Sequence, residues 1–479
     1  MPINWKNWRF SGIYSEALQS VRSSSFGLGY CHWVACRSRK RPGRRAIWGE
    51  FMAYGQKRIT TALLIAAACS TSALAGGFQR GTADTDILFE PGTVNTRASF
   101  TYVDPRRGFT SLDGQSGDFE NYTGHYLIPN YAISLGNDVF GCAGTATESF
   151  AAEADYSGSP GGALPIQVSS TQSMSTDDRR DFANASSVSR TQKLAFDSTE
   201  VGLTCRVSYQ GETGRYSLLG GVFLEDFHFE GTSFGTSYVA AGVPIAAVRS
   251  RIEVESDGDY KPGFRIGAAY EIPEYALRVQ AMYRSEVKHD EVSGDGTVTI
   301  LNSLVPTLPA GTVIPVDSYF SEATSPQFVD IKAQTGIAPG WLLLGSFRWT
   351  DWSTNQVSVS SISNPAFGIS SSSYAPYHWR DGYTAQIGVG HAFSEEVAGA
   401  IAIGYDRGVS TGAETTYTDL YTLSSGVSFK PNAMAELRFG GVIGYWTDGE
   451  QSVANDSYYD ATVGDDVVYG INATLRLTF

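Results

Sequence analysis

Apolar and polar residues alternate along the end of the chain, and this alternation constrains the fold more than any other feature. Over residues 469–479 the odd-numbered positions are apolar, from Tyr469 to Phe479, and the even-numbered positions are small or polar. Successive side chains of a β-strand point to opposite faces, so the pattern predicts a strand with one apolar face. Residues 275–284 and 433–445 alternate in the same way. A soluble β-sandwich would also alternate, with its apolar face turned inward.

The lengths of the connections separate these two folds. Short turns such as Gly136-Asn137 and Ser394-Glu395 alternate with long, polar or irregular loops. Short connections on one side, long connections on the other and an even number of strands are typical of outer-membrane barrels. The sequence therefore predicts an all-β fold, a transmembrane antiparallel β-barrel of about 14 strands. The predicted strands are residues 95–104, 125–136, 138–150, 195–209, 215–230, 259–271, 275–290, 324–336, 341–353, 377–393, 396–407, 417–429, 433–447 and 467–479.

The net charge of -14 is an average over unlike segments. Residues 1–75 are basic, so residues 76–479 retain 24 Lys and Arg against 47 Asp and Glu, a net charge of -23. This acidic balance argues against a nucleic-acid partner. Beyond residue 75 only Cys142 and Cys205 remain, and two cysteines are too few to staple so long a chain.

A secretory signal peptide is predicted inside the chain, at residues 52–75. Basic residues precede the apolar stretch 62–68, and Ala73-Leu74-Ala75 stands before Gly76 as a small-residue cleavage site. We interpret residues 1–51 as an extension upstream of the true start at Met52. The alternative is lipidation at Cys69, for which the preceding alanines match poorly.

Residues 283–288, Tyr-Arg-Ser-Glu-Val-Lys, closely resemble the Y-R-S-E-V-K strand of the FadL/TodX family. These proteins are outer-membrane transporters of long-chain fatty acids and other hydrophobic compounds. Weaker matches follow in the family's order at Gly77-Phe78-Gln79, Tyr102-Val103-Asp104-Pro105, Ile128-Pro129-Asn130 and Trp379-Arg380-Asp381-Gly382-Tyr383. Together these segments span nearly all of residues 76–479.

The resemblance implies a monomeric barrel in the outer membrane of a Gram-negative bacterium, with an N-terminal hatch in its lumen. It also implies passive uptake, most simply of long-chain fatty acids, with lateral release into the membrane lipid and without a cofactor. Phe479 looks like the C-terminal signal read by the barrel assembly machinery. The domains are then a hatch at 76–94 and a barrel at 95–479. This hatch is shorter than the family's and lacks its Asn-Pro-Ala motif, which puts the gating in doubt.

Two predicted long loops are unusually apolar for segments that face water. Exposed apolar patches often mark binding surfaces, so these loops are candidates for ligand capture. The alternative is that they pack on each other as a rigid cap, and both interpretations can hold together. The candidate ligand-binding residues are Val243, Ile245, Val248, Leu301, Leu304, Val305 and Leu308.

Two further sites are suggested by the resemblance. Arg380 stands beside Asp381 where the family has a basic-acidic pair, and its guanidinium is suited to a fatty-acid carboxylate. An Arg-Asp ion pair that stabilises the lumen wall is an equal alternative. In the third strand, Gly141 and Gly144 are candidates for a kink that opens a lateral exit, although close packing of a glycine-rich barrel explains them too.

Two other functions stay open. A general diffusion porin for small polar solutes would use a polar lumen with charged rings and would not need apolar loops. An outer-membrane hydrolase is suggested by Gly408-Val409-Ser410-Thr411-Gly412, but this segment lies in a predicted loop without a strand-to-helix turn. We predict no catalytic residue and no metal, because the histidines lack ligand spacing and the Asp456, Asp460, Asp465 and Asp466 tip is better explained as a solvated acidic loop.

Overall fold

A single closed barrel contains most of the chain. The computed structural model describes residues 76–479 except 169–177, 242, 291 and 322. The predicted signal peptide and the upstream extension lie outside the described residues. The fourteen barrel strands are β1 (Val94–Pro105), β2 (Tyr126–Gly136), β3 (Phe140–Asp155), β4 (Ser187–Gln210), β5 (Arg215–Tyr238), β6 (Ala246–Ile272), β7 (Leu277–Arg284), β8 (Phe328–Ala338), β9 (Trp341–Thr350), β10 (Gly382–Ala392), β11 (Val397–Arg407), β12 (Leu420–Phe429), β13 (Ala435–Trp446) and β14 (Asp466–Thr478).

Antiparallel pairing between the first and last strands closes the barrel. β1 pairs with β2 along one edge and with β14 along the other, from Asn95 opposite Thr478 to Pro105 opposite Val468. Closure gives every strand two partners, which removes the exposed edges that a membrane does not tolerate. The predicted all-β, fourteen-stranded transmembrane barrel is confirmed.

The wall has an apolar outer surface at the level of its regular pairing. On β5, Leu218 and Val222 are 70% and 65% exposed, whereas Leu219 and Phe223, one position away, are each 2% exposed. This is the alternation expected of a strand between lipid and lumen. Within the described ranges, no helix has the length and apolarity that a membrane crossing requires.

The connections differ in length at the two ends of the barrel, which we call the turn end and the loop end. At the loop end, β4, β5 and β6 are 24, 24 and 27 residues long and extend well beyond the strands predicted for them. Additional short strands continue the wall or form small sheets there, at Phe109–Leu112, Gln115–Ser116, Gln167–Val168, Val287–His289, Val292–Ser303, Val313–Ser321, Ala323–Ser325, Val357–Asn364, Ile369–Pro376, Gly449–Gln451 and Ala461–Val463.

Strand β7 ends earlier than predicted. The pattern suggested one strand over residues 275–290, but β7 stops at Arg284, and Val287–His289 forms a separate strand with Ala323–Ser325. The Ser285 hydroxyl accepts a hydrogen bond from the Phe264 amide at 3.0 Å. The segment after it turns toward the lumen, where His289 is buried against Glu225.

A disulfide joins Cys142 of β3 to Cys205 of β4. The two cysteines are directly opposite each other in the ladder, with their Cα atoms 4.0 Å apart. The disulfide therefore fastens β3 to one of its two neighbours.

The segment before β1, residues 76–93, forms the hatch inside the barrel. Its single short helical turn, Thr85–Phe89, is a 3₁₀ helix, and Ile87, Leu88 and Phe89 are buried against apolar residues of β2, β3, β5, β6 and β7. The apolar turn therefore seals part of the lumen near the turn end.

Carboxylates of the hatch bind basic residues of the wall. Arg97 of β1 lies 2.6 Å from both Asp84 and Glu90, and Arg476 of β14 also contacts Glu90. Lys332 of β8 lies 2.9 Å from Asp86. The hatch is thus held from several strands at once, and Glu90 is the carboxylate that Arg97 and Arg476 share.

We predict that Glu90→Gln lowers the free energy of unfolding by about 3 kcal/mol, the usual cost of breaking a buried ion pair. The substitution preserves shape but leaves the three buried guanidinium groups of Arg97, Arg438 and Arg476 with only two carboxylates, those of Asp84 and Glu436. Urea unfolding in detergent micelles measures the change. Asp104→Asn is the control, because Asp104 is only half-buried and its partner Arg106 is exposed, and equal effects of the two substitutions would contradict the prediction.

A candidate ligand-binding cavity lined by aromatic residues

A cavity of about 220 Å³ lies within the loop end of the barrel. Its walls combine apolar and aromatic side chains with a few polar groups, as small-molecule sites do. We call it the aromatic cavity. Its aromatic lining residues are Phe78, Phe109, Tyr122, Tyr126, Phe150, Tyr156, Phe196, Phe227, Phe229, Phe320, Trp352, Tyr374, Tyr377, Tyr417, Tyr458 and Tyr459.

The barrel wall supplies one side of the aromatic cavity. Phe150 of β3, Phe196 of β4 and Phe227 of β5 occupy inward positions of neighbouring strands. The rings of Phe196 and Phe227 stack, with centroids 5.5 Å apart. Because alternate residues of each strand face the lumen, the strand pattern itself directs these rings inward.

Phe78 of the hatch packs at the centre of the aromatic cluster. Its ring centroid lies 4.7 Å from that of Phe196, 5.4 Å from Tyr377 and 4.5 Å from Trp379. Trp352 meets Trp379 edge to face at 5.2 Å. The start of the hatch is therefore part of the cavity wall.

Arg107 fixes the loop between β11 and β12, which carries a further lining residue, Glu414. The Arg107 side chain is buried and donates to the carbonyl of Thr415 at 3.2 Å and to that of Thr447 at 2.9 Å. It also lies 3.1 Å from Asp466. These contacts occupy the guanidinium with its own loop partners, and it does not line the cavity.

Glu414 is the main polar feature of the cavity. One carboxylate oxygen accepts from Trp379 Nε1 at 3.0 Å, and the other accepts from the Thr416 amide at 2.5 Å. Burial raises the pKa of Glu414, against the opposing effect of these hydrogen bonds and of the Arg107 charge. The carboxylate therefore has neutral donors but no cation in direct contact among the described residues.

A second lining residue, Gln167, presents an unused acceptor. Its side-chain nitrogen donates to Ser373 Oγ at 3.1 Å, whereas its buried Oε1 receives no hydrogen bond from the described residues. Among the described residues that line the cavity there is no Lys, Arg or His, and Glu153 is the other acid. The charged groups of the described lining are thus acidic.

A different environment lies deeper in the barrel. A second cavity, of about 210 Å³, is lined by charged residues of the hatch and the wall, among them Asp84, Asp86, Arg97, Arg278 and Lys332. Beside it, Arg284 lies 2.8 Å from Glu200 and also contacts Glu225. Moving an apolar molecule straight through this charged region is unfavourable.

The wall is interrupted between β2 and β3, next to the aromatic cavity. β2 and β3 pair from Gly136–Gly141 to Asn130–Thr147, after which β3 leaves β2. Hatch backbone occupies the space, since the Ala151 amide donates to the Phe78 carbonyl and the Gly81 amide donates to the Glu148 carbonyl, both at 2.9 Å.

The predicted kink residues lie elsewhere on β3. Gly141 and Gly144 belong to the continuously paired part, opposite Gly136 and Ile133. The register of β3 against β4 shifts further along, between Glu148 and Phe150. The interruption therefore lies beyond the two glycines, where hatch backbone bonds to β3, and a kink at Gly141 and Gly144 stays a prediction.

The two predicted capture loops meet at the tip of the loop end. Ser303 pairs with Val248, and the Leu304 amide donates to the Ala247 carbonyl at 2.8 Å. Contrary to the loop assignment, Val248 lies within β6 and Leu301 within the strand Val292–Ser303. Cross-strand hydrogen bonds extend these strands into segments whose composition predicted irregular loops.

The seven candidate residues divide between packing and exposure. Val248 and Leu308 pack against a cluster that includes Ile300 and Ile314. Of the others, Ile245, Leu301 and Leu304 are exposed, and Val243 and Val305 are half-buried. None of the seven lines the aromatic cavity, so their role in ligand capture stays a prediction.

Arg380 also lies apart from the cavity. Its side chain is exposed, and its Nε donates to the Gly408 carbonyl at 3.1 Å. Asp381 instead accepts from Trp349 Nε1 at 2.9 Å. Ser410 of the Gly-x-Ser-x-Gly segment donates to the backbone carbonyl of Glu414. No described histidine has a hydrogen bond to Ser410, so the arrangement does not form a catalytic triad.

One group of residues has the composition of a metal site. Ligand atoms of His228, Glu255 and Asp257 lie within 4.8 Å of one another, but both acids are exposed and His228 Nδ1 is already 2.7 Å from Asp257. In the predicted acidic loop, Asp460 accepts from the Val453 amide at 2.8 Å and Asp466 pairs with Arg107. We assign no metal to either group.

Sequence reasoning missed the aromatic cavity. Its rings come from the hatch, four or more strands and several long connections, and no periodic pattern links them. The available signal was the repeated occurrence of aromatic residues in long connections, as at Tyr374, Tyr377, Tyr458 and Tyr459. Glu414 was missed because the segment before it, residues 408–412, was interpreted only as a possible hydrolase motif.

We predict that the stability of the wild-type protein falls relative to that of Glu414→Gln as pH rises from about 4 to about 8. Because the folded-state pKa is raised, the folded carboxyl retains its proton after the unfolded one has ionised. The neighbouring Tyr156 and Tyr377 have pKa values raised by burial and do not titrate in this range.

Urea unfolding at several pH values tests this expectation. The quantity compared is the slope of the stability difference against pH, which a lost hydrogen bond alone does not alter. Glu450→Gln, on an exposed carboxyl nearby, should leave the slope unchanged. A pH-independent difference for Glu414→Gln would contradict the prediction.

Comparison with known proteins supports the architecture. No model of a protein family matches the sequence, and no curated protein matches it. Among solved structures, a FadL homologue from Pseudomonas aeruginosa matches with a TM-score of 0.58 and 12% identity, over 87% of this chain and 97% of the other. The toluene transporter TodX of P. putida matches with a TM-score of 0.57 and 12% identity, over 83% and 93%. The CymD monoaromatic hydrocarbon channel gives 0.56 and 10%, over 82% and 90%.

These likenesses extend over nearly the whole length of each neighbour, while the identities are low enough that they bear on fold alone. The chain therefore has the FadL/TodX barrel fold that its sequence resemblance predicted.

Proposed function

We propose that the protein is an outer-membrane channel for the passive uptake of hydrophobic molecules, and that the aromatic cavity is its binding site. The observation that carries the proposal is the cavity itself, about 220 Å³ of largely apolar and aromatic space beneath the loop end. Aromatic rings bind apolar ligands through a large contact area and favourable ring geometry. The structural neighbours named as hydrocarbon channels support the same class of ligand.

The described lining of the cavity contains no Lys, Arg or His, which limits the kind of hydrophobic molecule that it can bind. A fatty-acid carboxylate placed there would lose its hydration without gaining a cation, which is unfavourable. Arg380, the residue predicted to hold such a head group, is exposed elsewhere. We therefore propose molecules without a carboxylate as the main ligands, while long-chain fatty acids stay a prediction of the sequence resemblance.

Lateral release is the second part of the proposal. The aromatic cavity adjoins the interruption between β2 and β3, because Phe78 and Phe150 belong to both. The charged cavity deeper in the barrel opposes passage of an apolar molecule along the axis. Movement of the hatch away from β3 would open a shorter and less polar route toward the lipid.

We predict that Ser360→Trp weakens the binding of naphthalene at least about tenfold, since an indole would occupy the cavity that Ser360 lines. Equilibrium dialysis of radiolabelled naphthalene against the detergent-solubilised protein measures the affinity, with protein-free micelles as the blank. Ser370→Trp is the matched control, because Ser370 lies exposed on the same hairpin.

Equal affinity of wild type and Ser360→Trp would show that naphthalene binds outside the cavity. Swelling of liposomes by sugars at the rate of an open pore would instead favour the general diffusion porin. A folded Ser370→Trp protein with lost binding would point to the hairpin rather than to the cavity.

We predict that a disulfide between the hatch and β3 blocks uptake but not binding. Gln79 and Phe150 form an isolated antiparallel bridge, and cysteines at such directly opposite positions can be joined. The variant combines Gln79→Cys and Phe150→Cys with Cys142→Ser and Cys205→Ser. Oxidised cells should take up radiolabelled naphthalene at a small fraction of the reduced rate.

The reduced form of the same variant is the internal control, because it shares the loss of the Phe150 ring. Unchanged uptake after complete oxidation would rule out an exit that requires the hatch to leave β3. Loss of binding as well as uptake would place the effect on the cavity.

A further inference from the structure

The aromatic cavity contains one carboxyl group, that of Glu414, which no described cation contacts directly, and we infer that the cavity selects hydrophobic amines. Glu414 lies in the cavity wall, held by the neutral donors Trp379 Nε1 and the Thr416 amide. This inference rests on the proposed binding function of the cavity and names the polar end of its ligands.

The two acidic residues of the lining are not equivalent. Glu153 lies 3.1 Å from Lys193 and is partly exposed, so its charge is already compensated. Glu414 has no Lys or Arg within ion-pair distance among the described residues, and Arg107 is engaged with Thr415, Thr447 and Asp466. Glu414 is therefore the lining carboxylate available to a ligand cation.

Gln167 lines the cavity but does not offer it an acceptor. Its nitrogen is bonded to Ser373, and its Oε1 is buried without a hydrogen bond from the described residues, out of reach of a molecule in the cavity. The recognition therefore depends on Glu414. An ammonium has three donors and no acceptor, which matches a carboxylate that can only accept.

The aromatic rings add to this preference. The face of a phenyl, phenol or indole ring is electronegative and attracts cations, and the attraction increases where water is excluded. Tyr377 and Trp352 belong to the lining, and Trp379, the donor to Glu414, packs against both. A hydrophobic amine would place its apolar body among the rings and its nitrogen toward Glu414, whereas a carboxylate of the same size would be repelled.

Three ligands with one skeleton test this selection: 2-phenylethylamine, ethylbenzene and phenylacetate, which are cationic, neutral and anionic at neutral pH. Equilibrium dialysis against the full, detergent-solubilised protein gives their affinities, with protein-free micelles subtracted. We expect the amine to bind at least about tenfold more tightly than ethylbenzene, as for a charge-assisted hydrogen bond, and phenylacetate to bind most weakly.

The variant Glu414→Gln should remove the advantage of the amine and leave ethylbenzene affinity within about twofold. Glu450→Gln, which neutralises an exposed carboxyl nearby, should preserve all three affinities. Ethylbenzene binding by the variant shows that the cavity is folded, so a loss confined to the amine assigns the recognition to Glu414.

Two outcomes overturn the inference. Phenylacetate binding as well as the amine would exclude electrostatic selection, and equal weakening of all three ligands by Glu414→Gln would assign the residue a structural role. Both outcomes leave the proposed hydrophobic channel intact. If none of the three ligands bound the wild type, the proposed function of the cavity would itself fail.

Discussion

Pairing of every backbone amide within the wall is the constraint on which the rest of the structure depends. In lipid an unpaired amide or carbonyl has no water to bind, so a sheet that crosses the membrane must close on itself. The pairing of β1 with β14 achieves this closure. It also forces each strand to present alternate residues to lipid and to lumen, which produces an apolar exterior and an interior where charges and rings can be arranged freely.

The interior contains two contrasting regions, one charged and one aromatic. Toward the turn end, carboxylates of the hatch meet basic residues of several strands, as Glu90 meets Arg97 and Arg476. Toward the loop end, rings of the wall and of the long connections surround Phe78. One short N-terminal segment therefore contributes to both regions, and its charged contacts hold its apolar start against the cavity.

The wall could be predicted from the sequence because lipid and lumen impose a period of two on it. All fourteen strands were found in this way, and the errors lie at their ends. In the extended part of β6 the alternation reverses, since Glu253 and Glu255 are exposed and Ile252 and Val254 pack inward, so the apolar-outward pattern of a membrane strand no longer marks it. The sequence resemblance added the hatch and the position of β7, but Val287–His289 turns inward, where His289 contacts Glu225.

The aromatic cavity was beyond sequence reasoning for a different reason. Its walls join residues as distant along the chain as Phe78 and Tyr459, and their proximity results from closure of the barrel and folding of the long connections. Individual rings such as Tyr377 carry no sign that they face inward. Glu414 gains its significance only from surroundings in which no cation of the described residues contacts it, a property of three-dimensional packing rather than of local sequence.

The disulfide between Cys142 and Cys205 gives β3 two unequal borders. On the β4 side a covalent bond reinforces the hydrogen-bonded ladder, whereas on the β2 side regular pairing stops at Asn130 opposite Thr147 and hatch backbone takes over. The lateral release proposed above would therefore part β3 from β2 and the hatch, while β3 stays joined to β4. Two side chains that do not line the aromatic cavity would thus give the proposed opening its direction.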